Sequence, residues 1–135
     1  MKAIIIAGGS GTRLRPLTYN TPKPMVPLFD KPFLQHQLEL LRRHGITDVV
    51  INLHYLSDSI SDHFGDGAAL GMKIAYSFEE KPMGTAGAVK LAEKHFDGEP
   101  MVIFNGDILT DIDLGELVAF HQTREAKVTI AMIRV

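Results

Sequence analysis

The chain has 135 residues, 45% of them hydrophobic, with no cysteine, no tryptophan and a formal net charge of −2. That length suits one domain with a packed core and leaves no room for two of ordinary size, and without cysteine there is no disulfide framework, thiol nucleophile or Cys-containing zinc site. An isoelectric point near 6.3 gives no signature of a bulk nucleic-acid binder, and no apolar run approaches the ~20 residues of a membrane helix.

Residues 2–7 form a short Ile-rich run that ends at Gly8-Gly9 and reads as a buried strand. It is shorter than the roughly 7–15 apolar residues of a signal-peptide core, so a soluble cytoplasmic protein is expected. Residues 8–31 have no period and hold four of the seven prolines, the mark of a long structured loop. Residues 32–44 read as a helix, with Pro32 in the first turn, Leu34, Leu38 and Leu41 on one face, and Gly45 as the stop. A second buried strand is expected over 49–53, then a short helix over 57–64 capped by Ser57. A strand over 73–78, a helix over 84–96 and a strand over 101–104 follow, the last stopping at Asn105-Gly106-Asp107. Asp113 and Glu116 stand at capping-box spacing ahead of a helix over 113–124, and a β-branched final strand is expected over 127–135. This alternation predicts an α/β fold, a Rossmann-like, mainly parallel sheet with helices on both faces. Ligands in such folds bind beyond the carboxyl ends of strands. Segments 8–27 and 105–113 both follow strands and so belong to one end of the sheet.

Charge is unevenly spread. Residues 1–31 carry five basic side chains against the single acid Asp30, while residues 95–123 carry six acids and no Lys or Arg. Chance scatter of surface charge would produce the same pattern, but a basic front and an acidic back also suit one ligand that brings both phosphates and a metal ion.

The segment Gly8-Gly9-Ser10-Gly11-Thr12-Arg13 places small residues where backbone N–H groups can approach an anion, and adds a forked guanidinium. Neither common nucleotide motif fits. The dinucleotide fingerprint needs a third glycine where Leu14 stands, and no Gly-Lys-Ser/Thr of a Walker A loop follows. In Pro22-Lys23-Pro24-Met25 a lysine sits between two prolines of fixed φ, which presents its ammonium with little backbone freedom. That suits a phosphate clamp; a polar surface turn is the plain alternative.

Taken together, Gly8–Thr18 and Pro22–Met25 resemble the signature of the sugar-phosphate nucleotidylyltransferases, the NDP-sugar pyrophosphorylases. Pro82-Met83-Gly84-Thr85-Ala86-Gly87 is similar to that family's nucleobase segment, and Asn105-Gly106-Asp107 to its metal aspartate motif. His54-Tyr55-Leu56, with the two segments just named, most resembles the mannose-1-phosphate guanylyltransferases within it. The resemblance implies transfer from a nucleoside triphosphate to a sugar 1-phosphate, with GTP and mannose 1-phosphate preferred and pyrophosphate released. Arg13 would then bind the triphosphate and stabilise the leaving group, and Lys23 would neutralise the α-phosphate and the incoming sugar phosphate. Asp107 would hold Mg²⁺, a hard ion that takes one or two carboxylates together with phosphate oxygens. Gly9, Gly11 and Thr12 would cradle phosphates, Ala7, Gly8, Gly84 and Thr85 would lie at the base, and Gly106 near the ribose. The attacking phosphate oxygen is already ionised near neutral pH, so positioning and charge neutralisation carry the chemistry and no general base is needed.

Other machinery is missing from the pattern. No two of the six histidines stand four apart, no G-x-S-x-G elbow occurs, and Asp107, Asp111 and Asp113 do not match a calcium loop. Asp113 reads as a helix cap. Glu80-Lys81-Pro82 precedes the Gly84 turn and belongs with the base segment. A metal-dependent glycosyltransferase using Asp111-Ile112-Asp113 leaves the Gly8–Arg13 loop and Lys23 without a task. The family's catalytic domain is longer than 135 residues, and its later part supplies the sugar pocket, a lysine for the sugar phosphate and a second metal aspartate. The chain is therefore expected to be the nucleotide-binding portion of a truncated domain, with the sugar-binding half absent. A module that holds the nucleotide without transfer is the other reading. A sheet stopped at its fifth strand exposes an edge, so a homo-oligomer is expected, with no nucleic-acid or membrane partner.

Overall fold

The computed structural model describes residues 1–133. Strand β1 (Lys2–Ile6) runs into the long loop, which is ordered by two 3₁₀ turns, Thr12–Leu14 and Lys23–Met25, and a miniature hairpin of β2 (Pro27–Leu28) and β3 (Lys31–Pro32). Then come α1 (Phe33–Arg43), β4 (Asp48–Leu53), α2 (Ser57–Phe64), β5 (Lys73–Phe78), α3 (Gly84–Leu91), β6 (Met101–Asn105) and α4 (Leu114–Thr123). The main sheet has the order β5-β4-β1-β6, with every pairing parallel. The chain moves outward from β1 to β4 and β5, then returns across the sheet to β6. A crevice opens between the ends of β1 and β6, where that direction reverses.

Both faces of the sheet are covered, which is why the parallel strands read as unbroken apolar runs rather than alternations. On one face Ala3, Ile5, Val49, Ile51, Leu53 and Phe104 pack against Leu34, Leu38 and Leu41 of α1, Ile60 and Phe64 of α2, and Leu114 of α4. On the other, Ile4, Ile6, Val50 and Ala75 pack against Val89, Ala92 and Phe96 around α3. Each fully buried Leu or Ile contributes about 1.5–3 kcal/mol over an exposed one. The register aligns the strand ends: Ile6 stands opposite both Asn52 and Asn105.

The helices end for local reasons. Arg42 and Arg43 lie in the last turn of α1, favourable to its dipole, and bonds from Gly45 N–H to the Arg42 carbonyl and from Ile46 N–H to the Leu41 carbonyl close it. Asp113 caps α4, its side chain accepting from Glu116 N–H at 3.0 Å. Three boundaries differ from the sequence reading. The residue ahead of α2 is Leu56, held at φ 49°, and Ser57 is the first helical residue rather than its cap. The helix expected over 84–96 tightens at Ala92–His95 into a 3₁₀ turn. The strand expected over 127–135 forms no ladder as far as residue 133, and its last two residues lie outside those described. A strand exists only through its partner's hydrogen bonds. Here the segment turns back at Glu125 (φ 48°) and runs beside α4, where Thr129 Oγ1 lies 2.9 Å from His121 Nδ1.

Candidate functional site

The crevice between β1 and β6 holds a cleft of about 450 Å³ whose walls come from Ile6-Ala7 and Gly9 to Leu14, from Lys23-Pro24, and, far along the chain, from Asn105 to Asp107. Ala7, Gly9, Gly11, Thr12, Arg13, Lys23, Gly106 and Asp107 all line it. At its centre Lys23 Nζ donates to Asp107 Oδ2 at 2.8 Å, so the basic loop and the acidic segment meet. Both side chains keep about a third or more of their surface exposed, so each stays reachable by a ligand. Arg13, exposed on the first 3₁₀ turn, has no ion-pair partner among the described residues.

Two glycines are dictated by crowding. A Cβ on Gly11, whose φ is +61°, would lie 3.1 Å from Thr18 Cγ2 and 3.3 Å from Lys23 Cβ. This is where the two limbs of the loop cross. A Cβ on Gly106 would lie 2.8 Å from the Ile6 carbonyl oxygen and 3.0 Å from Ala7 Cβ. Its absence lets Gly106 N–H reach the Ile6 carbonyl at 2.7 Å, which draws the Asp107 turn against the end of β1.

Several side chains with no role in the sequence reading hold these walls. Thr18, fully buried, donates to the Gly11 carbonyl at 2.7 Å. The Tyr55 hydroxyl reaches the carbonyls of Thr18 and Tyr19 at 3.1 and 3.0 Å, tying the loop to the segment after β4. Gln37, on the buried face of α1, donates to the carbonyls of Asn105 and Ile108 at 2.9 and 2.6 Å. Thr18 and Tyr55 stand inside quoted motifs, and Gln37 interrupts the apolar stripe of its helix; that interruption was the available signal.

Gly8, Gly84 and Thr85 do not line the cleft. Gly8 and the turn ahead of Gly84 stand instead beside Glu79. Glu79 Oε2 accepts from Met83 N–H at 2.9 Å, just ahead of Gly84, and its Oε1 lies 3.4 Å from where a Cβ on Gly8 would be. Glu79's carbonyl accepts from His54 Nδ1 at 2.8 Å, so the Nδ1 carries the proton. Asn52, close to Gly8, faces Ser77 across β4 and β5, both buried and without partners for their side-chain polar atoms among the described residues.

No group of three or more potential metal-ligating side chains occurs among the described residues. Asp107 is the one carboxylate in the cleft wall. Such a donor set does not make an all-protein cage, but it suits an ion that takes one or two carboxylates and completes its shell with phosphate oxygens and water, as Mg²⁺ does. The Lys23 ammonium against Oδ2 marks the side from which that carboxylate receives positive charge.

Fold and crevice together define a Rossmann-like α/β protein with a cleft at the switch point of its sheet. The nucleotidyl transferase family model matches residues 2–135, and the chain belongs to that family. It is 41% identical over 133 residues to a mannose-1-phosphate guanylyltransferase of Mycobacterium tuberculosis, covering 98% of this chain and 37% of that protein. It is 40% identical to a UTP–glucose-1-phosphate uridylyltransferase of Synechocystis, covering 96% of this chain and 36% of the relative. A crystal structure from Bacillus anthracis, provisionally described as a glucose-1-phosphate thymidylyltransferase in complex with a sucrose, superposes with a TM-score of 0.85 at 31% identity, covering 93% of this chain and 51% of that one. The chain thus spans well under half the length of the curated relatives it matches. No helix among the described residues is long and apolar enough to cross a membrane.

Proposed function

We propose that residues 1–135 are the nucleotide-binding portion of a sugar-1-phosphate nucleotidylyltransferase. The observation that carries this reading is the meeting of the Gly9–Arg13 loop, Lys23 and Asp107 in one cleft at the switch point of the sheet. In the reaction, an oxygen of the sugar phosphate attacks the α-phosphorus of a nucleoside triphosphate. A new P–O bond forms, the bond between the α-phosphorus and its bridging oxygen breaks, and pyrophosphate leaves. Backbone N–H groups of the loop hold the phosphates. Arg13 offsets the charge that collects on the leaving pyrophosphate, and Lys23 that on the α-phosphate and incoming sugar phosphate. Asp107 holds the metal ion, which supplies further charge neutralisation when bound.

GTP is the proposed nucleotide, with mannose 1-phosphate the proposed acceptor. The base choice is supported by Glu79. A carboxylate is an acceptor only, and the free Oε1 beside Gly8 matches the N–H groups on the edge of guanine. The sugar choice rests on the likeness to the mannose-1-phosphate guanylyltransferase. Relatives named for UTP and thymidylyl transfer make both choices worth testing directly. Pyrophosphate release, with Mg²⁺ and a panel of nucleoside triphosphates and sugar phosphates, is the test. Release that depends on mannose 1-phosphate and is fastest with GTP supports the reading. Binding of GTP without release, by the full 135-residue chain, supports instead a module that holds the nucleotide and does not transfer it. The short span relative to the curated proteins favours keeping that second reading. Self-association through the outer edge of β6, where Ile103 is half exposed, is also proposed; a monomer by light scattering at micromolar concentration contradicts it.

A further inference from the structure

We propose that Gln37 is a positioning residue that sets the Asp107 carboxylate for metal binding, an inference that rests on the nucleotide-and-metal reading of the cleft. Gln37 is 1% exposed and sits on the face of α1 otherwise occupied by Leu34, Leu38 and Leu41. Burying a primary amide among leucines is costly unless it is hydrogen-bonded; Oε1 has no partner among the described residues, so the pairing falls to the two hydrogens. Both are used: Nε2 donates to the Asn105 carbonyl at 2.9 Å and to the Ile108 carbonyl at 2.6 Å. Those two carbonyls bracket Gly106-Asp107, so one side chain bridges the first and last residues of the turn that carries the carboxylate.

The turn has little else to hold it. Its own closing bond, Ile108 N–H to the Asn105 carbonyl, is long at 3.3 Å. Gly106 N–H to the Ile6 carbonyl anchors the entry, and among the described residues no other backbone bond anchors the exit. Ile108 and Leu109 beyond it are exposed. The fork of Gln37 supplies that exit anchor. Its requirement is also specific. Two carbonyl oxygens facing one group need two donors on one atom, which an amide nitrogen has and a carboxylate lacks. An apolar residue would fill the volume and leave the Ile108 carbonyl unpaired. Asp107 meets the cleft through Lys23 alone among the described side chains, so its direction follows the turn.

The test compares Gln37→Met, which preserves bulk and removes both donors, with Leu41→Val, which trims the same core face away from the turn. Two readouts are needed. The first is amide hydrogen exchange of the ligand-free chain. The proposal requires Gln37→Met to speed exchange at Gly106 and Ile108 while Val50 and Ile51 in the sheet stay protected, and Leu41→Val to spare the turn. The second is GTP affinity with and without Mg²⁺. Gln37→Met should weaken the Mg²⁺-dependent part about tenfold, the scale of losses when groups supporting a metal ligand are removed, and leave affinity in chelator unchanged. Unchanged exchange at the turn overturns the clamp whatever the chain binds. Faster exchange with an undiminished Mg²⁺ effect overturns the positioning role. An equal loss in Leu41→Val reduces it to general packing. A wild-type chain with no Mg²⁺-dependent GTP binding sinks the metal reading itself, a failure the exchange data do not share.

Discussion

Lys23 and Asp107 are 84 residues apart in sequence and 2.8 Å apart in space, an ammonium and a carboxylate that each line the same cleft and bond to one another across it. Without a ligand each neutralises the other. On the proposed reading, a nucleoside triphosphate arriving with Mg²⁺ would give each a better partner: phosphate oxygens for the lysine, the metal for the aspartate. Exposed ion pairs contribute only about 0–1 kcal/mol to stability. Lys23→Ala and Asp107→Ala are therefore expected to leave the melting temperature nearly unchanged while both abolish nucleotidyl transfer. In titrations, Lys23→Ala should weaken GTP binding with or without metal, whereas Asp107→Ala should erase only the metal-dependent part. Calorimetry on both variants separates the two effects, and a large loss of melting temperature in either contradicts the surface character of the pair.

Gly106→Ala tests the close approach that places the turn. The added Cβ meets the Ile6 carbonyl at 2.8 Å, and backbone cannot swing aside as a side chain can. Overpacking of this kind costs about 1–3 kcal/mol. The expected result is a clear drop in denaturant midpoint together with weaker Mg²⁺-dependent binding. An unchanged midpoint would mean that the β1–β6 crevice relaxes without strain.

Glu79→Gln tests the base assignment. The carboxylate offers acceptors only, while an amide offers one acceptor and one donor pair. The substitution should reduce the preference for GTP over UTP by about 1.5 kcal/mol, the lower end for a hydrogen bond to a charged group. Competition binding with the two nucleotides reads this ratio directly, and an unaltered ratio removes Glu79 from base recognition.

Acid sensitivity is expected at His95. Burial, followed by the nearby charges of Lys94 and Lys2, holds its pKa below the ordinary 6.5. The unfolded chain then takes up the proton more readily than the folded one. The stability from the neutral ring is complete above pH 6.5 and is lost as pH falls below it toward the lower folded value. His95→Leu, which cannot titrate, should narrow the fall in melting temperature between about pH 7.5 and about pH 5.5. An identical fall in both proteins would place the acid sensitivity elsewhere.

Much of this was legible from the sequence because parallel strands buried on both faces carry continuous Ile and Val runs, and because glycines and prolines punctuate the loops. The charge asymmetry carried real information: its two ends meet at Lys23 and Asp107. What the sequence hid was long-range hydrogen bonding. Gln37 looked like a polar break in a leucine stripe, and only the fold brings its amide to residues 105 and 108. Glu79 stood outside the motif that names the base segment, yet one of its oxygens accepts from Met83 N–H and the other lies beside Gly8. The last expected strand failed for a related reason. Residues 127–133 have strand-forming composition, but ladder hydrogen bonds depend on a neighbour that periodicity cannot supply.

The crevice between β1 and β6 is proposed to receive the phosphates of a nucleotide. Amide chemical shifts of the 135-residue chain, followed as GTP and Mg²⁺ are titrated in, test it most directly. Saturable shifts are expected at Gly9, Gly11, Thr12, Gly106 and Asp107, with the last two dependent on Mg²⁺. Shifts confined to other parts of the sheet, or no saturable shifts at these five residues, would contradict it.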